Sequence, residues 1–188
     1  SFAPNKIITT GQGGTVITNN KAFYQKMLSI KDQGRIGPTT GGEDTYVLDG
    51  FNLKFTNLQA VLGISQLKTY SKRKRKLIAI HKFYQKNLIE HKSFKLFKFK
   101  KDNGELPLWT DVFCNNRNKL FNFLLKKNIV CRLFWKPINT LKPFKKSNYY
   151  FKNSSKLQGK LMWLPSSLTL KPKEQKKICD LINNFYNK

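Results

Sequence analysis

The 188-residue sequence predicts a small α/β domain. Short apolar or β-branched runs alternate with segments of helical spacing, a long helical pattern occupies the middle of the chain, and Pro172 opens a final amphipathic helix. Residues 1–18 read as a loop followed by a strand, with Thr9-Thr10-Gly11-Gln12-Gly13-Gly14 leading into the β-branched run Thr15-Val16-Ile17-Thr18. Asn19-Asn20 offers an N-cap for a helix over about 21–30, with Phe23, Met27 and Ile30 on one face and Gly34 as its stop. Residues 35–50, which include Gly37-Pro38 and Gly41-Gly42, read as an exposed loop of a length that often carries function. Thr56 caps the long helical pattern. It carries Leu58, Val61, Leu62 and Leu67, crosses the basic run 72–76 and resumes with Leu77, Ile80, Tyr84 and Leu88, as one domain-bridging helix or a kinked pair. Strands are expected near 94–100, 108–114 and 129–134, and a helix near 116–127 with Leu120, Phe123 and Leu124 inward. The closing helix carries Ile178, Leu181, Ile182 and Phe185. No internal repeat or low-complexity linker interrupts the pattern.

Composition narrows the function classes. Lys and Arg total 36 against 10 Asp and Glu, a net charge of +26, and hydrophobic residues make up 39% of the chain, enough for a packed core. Such a balance raises nucleic acid, anionic membranes and phosphorylated small molecules as partners. Only five of the cations are Arg, at positions 35, 73, 75, 117 and 132, whereas base reading and bidentate phosphate clamps lean on the guanidinium fork. With Asn, Ile and Phe also abundant, the lysine excess reads as compositional and sits on solvated faces. Cys114, Cys131 and Cys179 are odd in number and form no CxxC pair, which points away from a disulfide framework or a zinc site and towards a reducing cytoplasm. No stretch approaches the ~18 apolar residues of a membrane span. The chain opens with Ser inside a patterned segment, so residues preceding Ser1 are expected.

Lys6 is the residue with the most chemistry to offer. Alone it is one of 31 lysines, and a solvated surface cation would be the ordinary reading. A lysine acts as a nucleophile when its amine is neutral, or when it is held as a Schiff base with a carbonyl cofactor. Lys6 lies between a Ser-Phe strand end and a Thr-Thr-Gly-x-Gly-Gly turn, where small residues let backbone approach a ligand and hydroxyls and amides can meet a phosphate. That turn lacks GxxxxGK[ST] and does not open a helix, so a nucleotide-triphosphate loop is not indicated. The 72–76 run reads as a solvated helix face with snorkelling stems, and His81 as a satisfied, partly buried histidine. Phe134 and Trp135 suit either the core or the wall of a sugar or base pocket, with Arg132 and Lys136 beside them for a phosphate or a donor carboxylate. Arg35 is placed to support the loop at 36–50.

Several ordered motifs resemble one family. These are Ser1-Phe2-x-x-x-Lys6, Ile8-Thr9-Thr10-Gly11-x-Gly13-Gly14, Asp32-Gln33-Gly34-Arg35 and Gly50-Phe51-Asn52-x-Lys54-Phe55-Thr56-Asn57-Leu58-Gln59-Ala60 with Gly63 and Gln66-Leu67. Arg132-x-Phe134-Trp135-Lys136-Pro137 and Leu164-Pro165-Ser166-Ser167 continue the match. Together they resemble the C-terminal half of the DegT/DnrJ/EryC1/StrS sugar aminotransferases, above all the perosamine branch. The resemblance implies a fold-type I pyridoxal phosphate-dependent transferase, in part: residues 1–68 as the end of the cofactor-binding large domain and 69–188 as the small C-terminal α/β domain. It also implies that Lys6 binds pyridoxal 5'-phosphate covalently and carries the proton of the 1,3-shift, and that Ser1 bonds the cofactor phosphate. By the same resemblance Asn52 reaches the cofactor phosphate of a neighbouring subunit, which makes a homodimer with shared active sites. Glutamate is the implied donor and a nucleotide-linked 4-keto-6-deoxyhexose the implied acceptor. Lys54, Arg132, Trp135, Lys136 and Asn139 are the candidates for contacting the substrate. Metal, nucleic acid and membrane have no part in this expectation. Lysine at position 6 favours transamination, because dehydratases of the family carry His there.

The chain departs from the family pattern at Gln12, where Glu is usual, and at Asn139, where His is frequent. The family's Asp for the pyridine nitrogen, its ring-stacking aromatic and its first phosphate turn all precede the Ser-Phe strand, so this chain reads as a C-terminal half with little turnover alone. Three alternatives stand beside that reading: a UDP-linked acetamido-sugar aminotransferase of the same family, a basic nucleic-acid-binding module using aromatics such as Phe94, Phe97 and Phe99, and an inactive split-gene remnant that dimerises through 56–70.

Overall fold

The computed structural model describes residues 1–37, 44–100 and 103–187, with the side chain of Asn148 left aside. The chain forms two compact units, Ser1–Ser71 and Lys72–Lys188.

In the first unit the N-terminal segment folds back on itself. The Phe2 N–H donates to Gly13 O at 2.9 Å, and the Thr10 N–H donates to Phe2 O at 3.1 Å. The run Thr15–Thr18 forms no strand, and Val16 and Ile17 are exposed. β-branched residues favour extended backbone, but a strand exists only where a neighbour takes up its ladder bonds, and none does so here. Helix α1 (Lys21–Lys31) starts where expected: Asn20 Oδ1 accepts from the Phe23 N–H at 3.0 Å. Its predicted inner face is not buried within this unit; Phe23 is exposed and Met27 and Ile30 are half-buried. The segment read as a loop contains a small antiparallel pair, β1 (Arg35–Ile36) with β2 (Thr45–Tyr46), while Pro38 and Gly41-Gly42 lie outside the described residues.

Helix α2 (Asn57–Asn87) is one continuous helix of 31 residues, so the bridging form of the expectation holds and the kinked form does not. A reciprocal cap starts it: Thr56 Oγ1 accepts from the Gln59 N–H at 3.2 Å, and Gln59 Oε1 accepts from the Thr56 N–H at 3.0 Å. Its first turns carry the exposed Leu58, Val61, Leu62 and Leu67, whereas Leu77, Ile80, His81 and Tyr84 further along are buried.

The second unit is a two-layer α/β sandwich. Strands β3 (Phe94–Leu96), β4 (Thr110–Cys114), β5 (Arg132–Leu133) and β6 (Leu161–Leu164) form an antiparallel sheet in the order β3-β4-β6-β5. One face packs against α2, α3 (Arg117–Leu125) and α5 (Pro172–Tyr186). Phe94, Val112, Cys114 and Met162 from the sheet meet Ile80, Tyr84, Leu120, Leu124, Ile178 and Ile182 from the helices. Side-chain bonds lock the helix layer: Gln175 Nε2 donates to Ile80 O at 2.6 Å, and Tyr84 Oη donates to Pro165 O at 2.8 Å. Between β5 and β6 the chain runs through three 3-10 turns and a short helix, α4 (Lys152–Leu157). Neither α4 nor β6 was expected from periodicity. The run Leu161-Met162-Trp163-Leu164 is apolar throughout and nearly all buried, so it lacks the alternation that marks a one-sided strand.

Leu124 is fully buried while its neighbour Leu125 is 46% exposed. Leu124→Ala is expected to cost about 2–5 kcal/mol in urea unfolding, and Leu125→Ala no more than about 0.5 kcal/mol. Burial pushes all three thiols, Cys114, Cys131 and Cys179, up to about 12. They stay protonated near neutral pH, so a thiolate-seeking reagent should leave them untouched until the protein is unfolded.

Candidate active site

The loop bearing Ser1 and Lys6 is held from behind. Thr9 Oγ1 donates to Phe2 O at 2.9 Å and accepts from the Gly11 N–H at 3.0 Å, while the buried Thr10 donates its hydroxyl to Gln12 O at 2.5 Å. Gln59 of α2 donates through Nε2 to Gln12 O at 3.2 Å, and the Phe2 and Phe55 rings meet edge to face at 5.9 Å. Gly13 has φ +127°, and a Cβ there would come within 2.5 Å of the Phe55 ring, so a side chain cannot enter the turn without displacing that ring. Against this backing Ser1 is exposed and Lys6 half-buried in a turn, its N–H donating to Ala3 O at 3.0 Å.

Asn52 and Lys54 stand on a second crossing in the same unit. Gly34, with φ +86°, and Gly50 press backbone on backbone: a Cβ on Gly34 would lie 1.7 Å from Leu48 O, and one on Gly50 2.2 Å from the Gly34 nitrogen. The motif glycines around Asp32 and Asn52 thus permit one close approach. It is stitched by Gln33 N–H to Phe51 O at 3.0 Å, Phe51 N–H to Ile30 O at 2.7 Å and Leu53 N–H to Lys31 O at 2.9 Å. Asn52, opposite Asp32 in an isolated bridge, is exposed. Asp32 is the electrostatic centre, with Lys54 Nζ at 2.7 Å and Arg35 Nη2 at 2.9 Å, and Arg35 extends to Asp44 at 2.6 Å. The Lys54 bond, helped by Arg35, holds the Asp32 carboxyl below the ordinary carboxylate range against the opposing effect of burial. Asp44 and Asp32 in turn hold the Arg35 guanidinium above its usual value. Arg35 therefore supports the following loop, as expected, and the Lys54 ammonium is engaged with Asp32.

The remaining candidates lie in the second unit. A cavity of about 790 Å³ is lined by Trp135, Lys136 and Asn139 together with Arg117, Phe144 and Lys146. Asn139 is buried in the first 3-10 turn, its carbonyl accepting from the Lys146 N–H at 3.0 Å. Arg132 does not line this cavity; its guanidinium lies over the Trp163 ring at 5.3 Å, a cation–π stack on the sheet. Sequence reasoning missed Asp111 and Trp163. The two are paired across β4 and β6, and the Trp163 indole N–H donates to the Asp111 carboxylate. Both line a neighbouring cavity of about 650 Å³ with His81, Trp109 and Trp135. The signal was present in the sequence as an acidic residue inside an apolar strand. Among the described residues no group of three or more His, Cys, Asp or Glu could hold a metal ion, and no helix is long and apolar enough to cross a membrane.

A mixed chain of helices and strands that ends in an antiparallel α/β sandwich has the fold of type I pyridoxal phosphate enzymes. Residues 1–183 match the sequence profile of the DegT/DnrJ/EryC1/StrS aminotransferase family, and the chain belongs to that family. It is 30% identical over its whole length to the GDP-perosamine synthase of Escherichia coli O157:H7, of which it covers 51%. It is also 30% identical, over 78% of its length and 40% of the relative, to a UDP-4-amino-4,6-dideoxy-N-acetyl-beta-L-altrosamine transaminase of Campylobacter jejuni. The chain therefore spans about half the length of these relatives. Among solved structures, Helicobacter pylori PseC, an aminotransferase involved in the biosynthesis of pseudoaminic acid, superposes with a TM-score of 0.81 at 21% identity, covering all of this chain and 52% of that one. The PLP form of the putative sugar aminotransferase Spr1654 from Streptococcus pneumoniae gives 0.82 at 16% identity, over all of this chain and half of the other. At such identities the likeness fixes the fold.

The Asp32 pairing generates a pH test. A carboxyl whose pKa is lowered on folding contributes stability that is complete above the unfolded value, ~3.9, and fades as pH falls through the lowered one. Hydrogen-exchange protection of the Gln33 and Leu53 amides should therefore fall below about pH 4. Asp32→Asn should show weaker protection at neutral pH and no such acid step.

Proposed function

We propose that this chain is the part of a pyridoxal phosphate-dependent aminotransferase that carries its reactive lysine, and that the enzyme passes an amino group from glutamate to a nucleotide-linked 4-keto-6-deoxy sugar, as in perosamine-type synthesis. The family match over residues 1–183 carries the reading, because it takes in the Ser1, Lys6 and Asn52 motifs together. Residues 1–68 are then the end of the cofactor-binding domain and 69–188 the small C-terminal domain.

The residues present fit the group. Lys6 offers a primary amine for an aldehyde, and Ser1 an exposed hydroxyl for a phosphate. Pyridoxal phosphate supplies the electron sink that lets an amino group move between carbon skeletons. Lys6 Nζ would hold the cofactor at its aldehyde and serve as the proton carrier, and Ser1 Oγ would bond the phosphate end. Clamping by Phe2, Thr9 and Gln59 keeps the amine and the hydroxyl on one preorganised loop. Exposed Asn52 is assigned to the phosphate of a second subunit, which makes the enzyme a dimer with shared sites. Lys54 positions that segment through Asp32. Trp135, Lys136 and Asn139 receive the sugar nucleotide, and Arg132 supports the wall from its stack on Trp163. The Campylobacter relative favours a second reading on a named similarity, a UDP-linked acetamido sugar as acceptor.

In the full protein, borohydride reduction should leave the cofactor's mass on the Lys6 peptide. Lys6→Ala should abolish the visible chromophore and slow the glutamate half-reaction roughly 10²–10⁴-fold or more. A reduced adduct on another lysine, or retained turnover in the variant, would reject the assignment.

A further inference from the structure

Among the described residues, Thr10 is the one buried side chain of the first unit, and it follows Lys6 on the same loop. Burying a hydroxyl is costly unless it is hydrogen-bonded, and valine would fill the same space without that cost. Each group of Thr10 has its own contact. The N–H donates to Phe2 O at 3.1 Å, Oγ1 donates to Gln12 O at 2.5 Å, and Cγ2 lies 3.2 Å from where a Cβ on Gly63 of α2 would stand. Glycine inside a helix is unfavourable relative to alanine, and at Gly63 it leaves room for that methyl.

The contacts converge on the Gln12 carbonyl. Its oxygen has two lone pairs, one taken by Thr10 Oγ1 and the other by Gln59 Nε2 at 3.2 Å. Gly13, which follows, has φ +127° and no side chain to restrict it, so the direction of its own carbonyl depends on how the preceding peptide is held. That carbonyl accepts from the Phe2 N–H at 2.9 Å, and Phe2 O accepts from Thr9 Oγ1 and the Thr10 N–H. The bonds close a ring, from Thr10 to Gln12, across Gly13 to Phe2, and back to Thr10. Ser1 adjoins the ring at Phe2, and Lys6 lies on the segment between Phe2 and Thr10.

We propose that Thr10 is a positioning residue for transamination: by fixing the Gln12–Gly13 peptide, its hydroxyl sets the Ser1 hydroxyl and the Lys6 amine at the separation at which both meet one cofactor molecule. This rests on the reading of Ser1 and Lys6 given above. Thr10 acts through the backbone of the turn, and Gln59 is its partner on the same carbonyl. The placement matters because a shift of about 1 Å in a reacting group can cost about 10²-fold in rate.

Two substitutions separate the hydroxyl from the methyl. In the full protein, Thr10→Val keeps the shape and removes the donor, whereas Thr10→Ser keeps the donor and removes a methyl. Thr10→Val should weaken pyridoxal phosphate binding about 10-fold in equilibrium dialysis. It should also slow the glutamate half-reaction at saturation about 10- to 100-fold, with half-saturation by glutamate within about twofold of wild type. Thr10→Ser should stay within about threefold of wild type in both. A third readout needs no cofactor. In the cofactor-free protein, hydrogen-exchange protection of the Phe2 amide should fall in Thr10→Val and hold in Thr10→Ser, while the Gln33 and Leu53 amides keep theirs in both variants. If Thr10→Val does not fold, Gln59→Glu carries the test, because glutamate retains the acceptor that caps α2 and loses the donor to Gln12 O; dialysis and Phe2 exchange should then move in the same direction. Equal losses in Thr10→Val and Thr10→Ser, or wild-type binding and Phe2 protection in Thr10→Val, overturn the proposal. A wild-type protein with no cofactor fixed on Lys6 overturns the aminotransferase reading instead, and the Phe2 exchange measurement still decides whether the Thr10 hydroxyl holds the loop.

Discussion

The pairing of β4 with β6 is the constraint on which the C-terminal unit depends. Its register sets Val112 opposite Met162 and Asp111 opposite Trp163. The first pair is fully buried against the helices, and the second lines the aromatic cavity on the other face. Slipping either strand by one residue would turn a carboxylate into the core and the core residues out, so register and cavity chemistry are fixed together. Strand β5 extends the row by placing Arg132 beside Trp163, where the guanidinium covers the indole.

The N-terminal unit solves a different problem, because it has little buried apolar area of its own and positions its groups by backbone. Two glycine-dependent approaches do this: the Gly13 turn packed on Phe55, and the Gly34–Gly50 crossing. Each sits directly behind candidate residues, Ser1 and Lys6 in the first case, Asn52 and Lys54 in the second. Asp32 links the crossing to Arg35 and Lys54, so the polar network and the backbone contact hold the same stretch.

Much of this was legible in the sequence, for identifiable reasons. Caps announced α1 and α2 through Asn20 and Thr56, and Pro172 announced α5, because these signals are local. The strand expected at Thr15–Thr18 failed because propensity was present and a partner was not, which no local pattern reveals. Strand β6 was missed for the opposite reason: buried on both faces, it shows no alternation. Physical chemistry alone could not separate Lys6 from the other lysines, and only the order of the flanking motifs did so. The glycines in those motifs were readable as permissive positions, but which backbone each one admits is a tertiary fact. Asp111 stood in an apolar strand in plain sight, yet its meaning depends on Trp163 arriving from 52 residues away.

The first turns of α2 hold Leu58, Val61, Leu62, Ile64 and Leu67 in contact with solvent, in a chain whose net charge is +26. These two facts act against each other in solution. Attraction between apolar helix faces is short-ranged and insensitive to electrolyte, whereas the mutual repulsion of strongly cationic molecules reaches only about 10 Å in 0.1 M electrolyte and less above it. Between copies of this chain the balance of the two therefore shifts with ionic strength, towards repulsion in dilute buffer and towards apolar contact in concentrated salt.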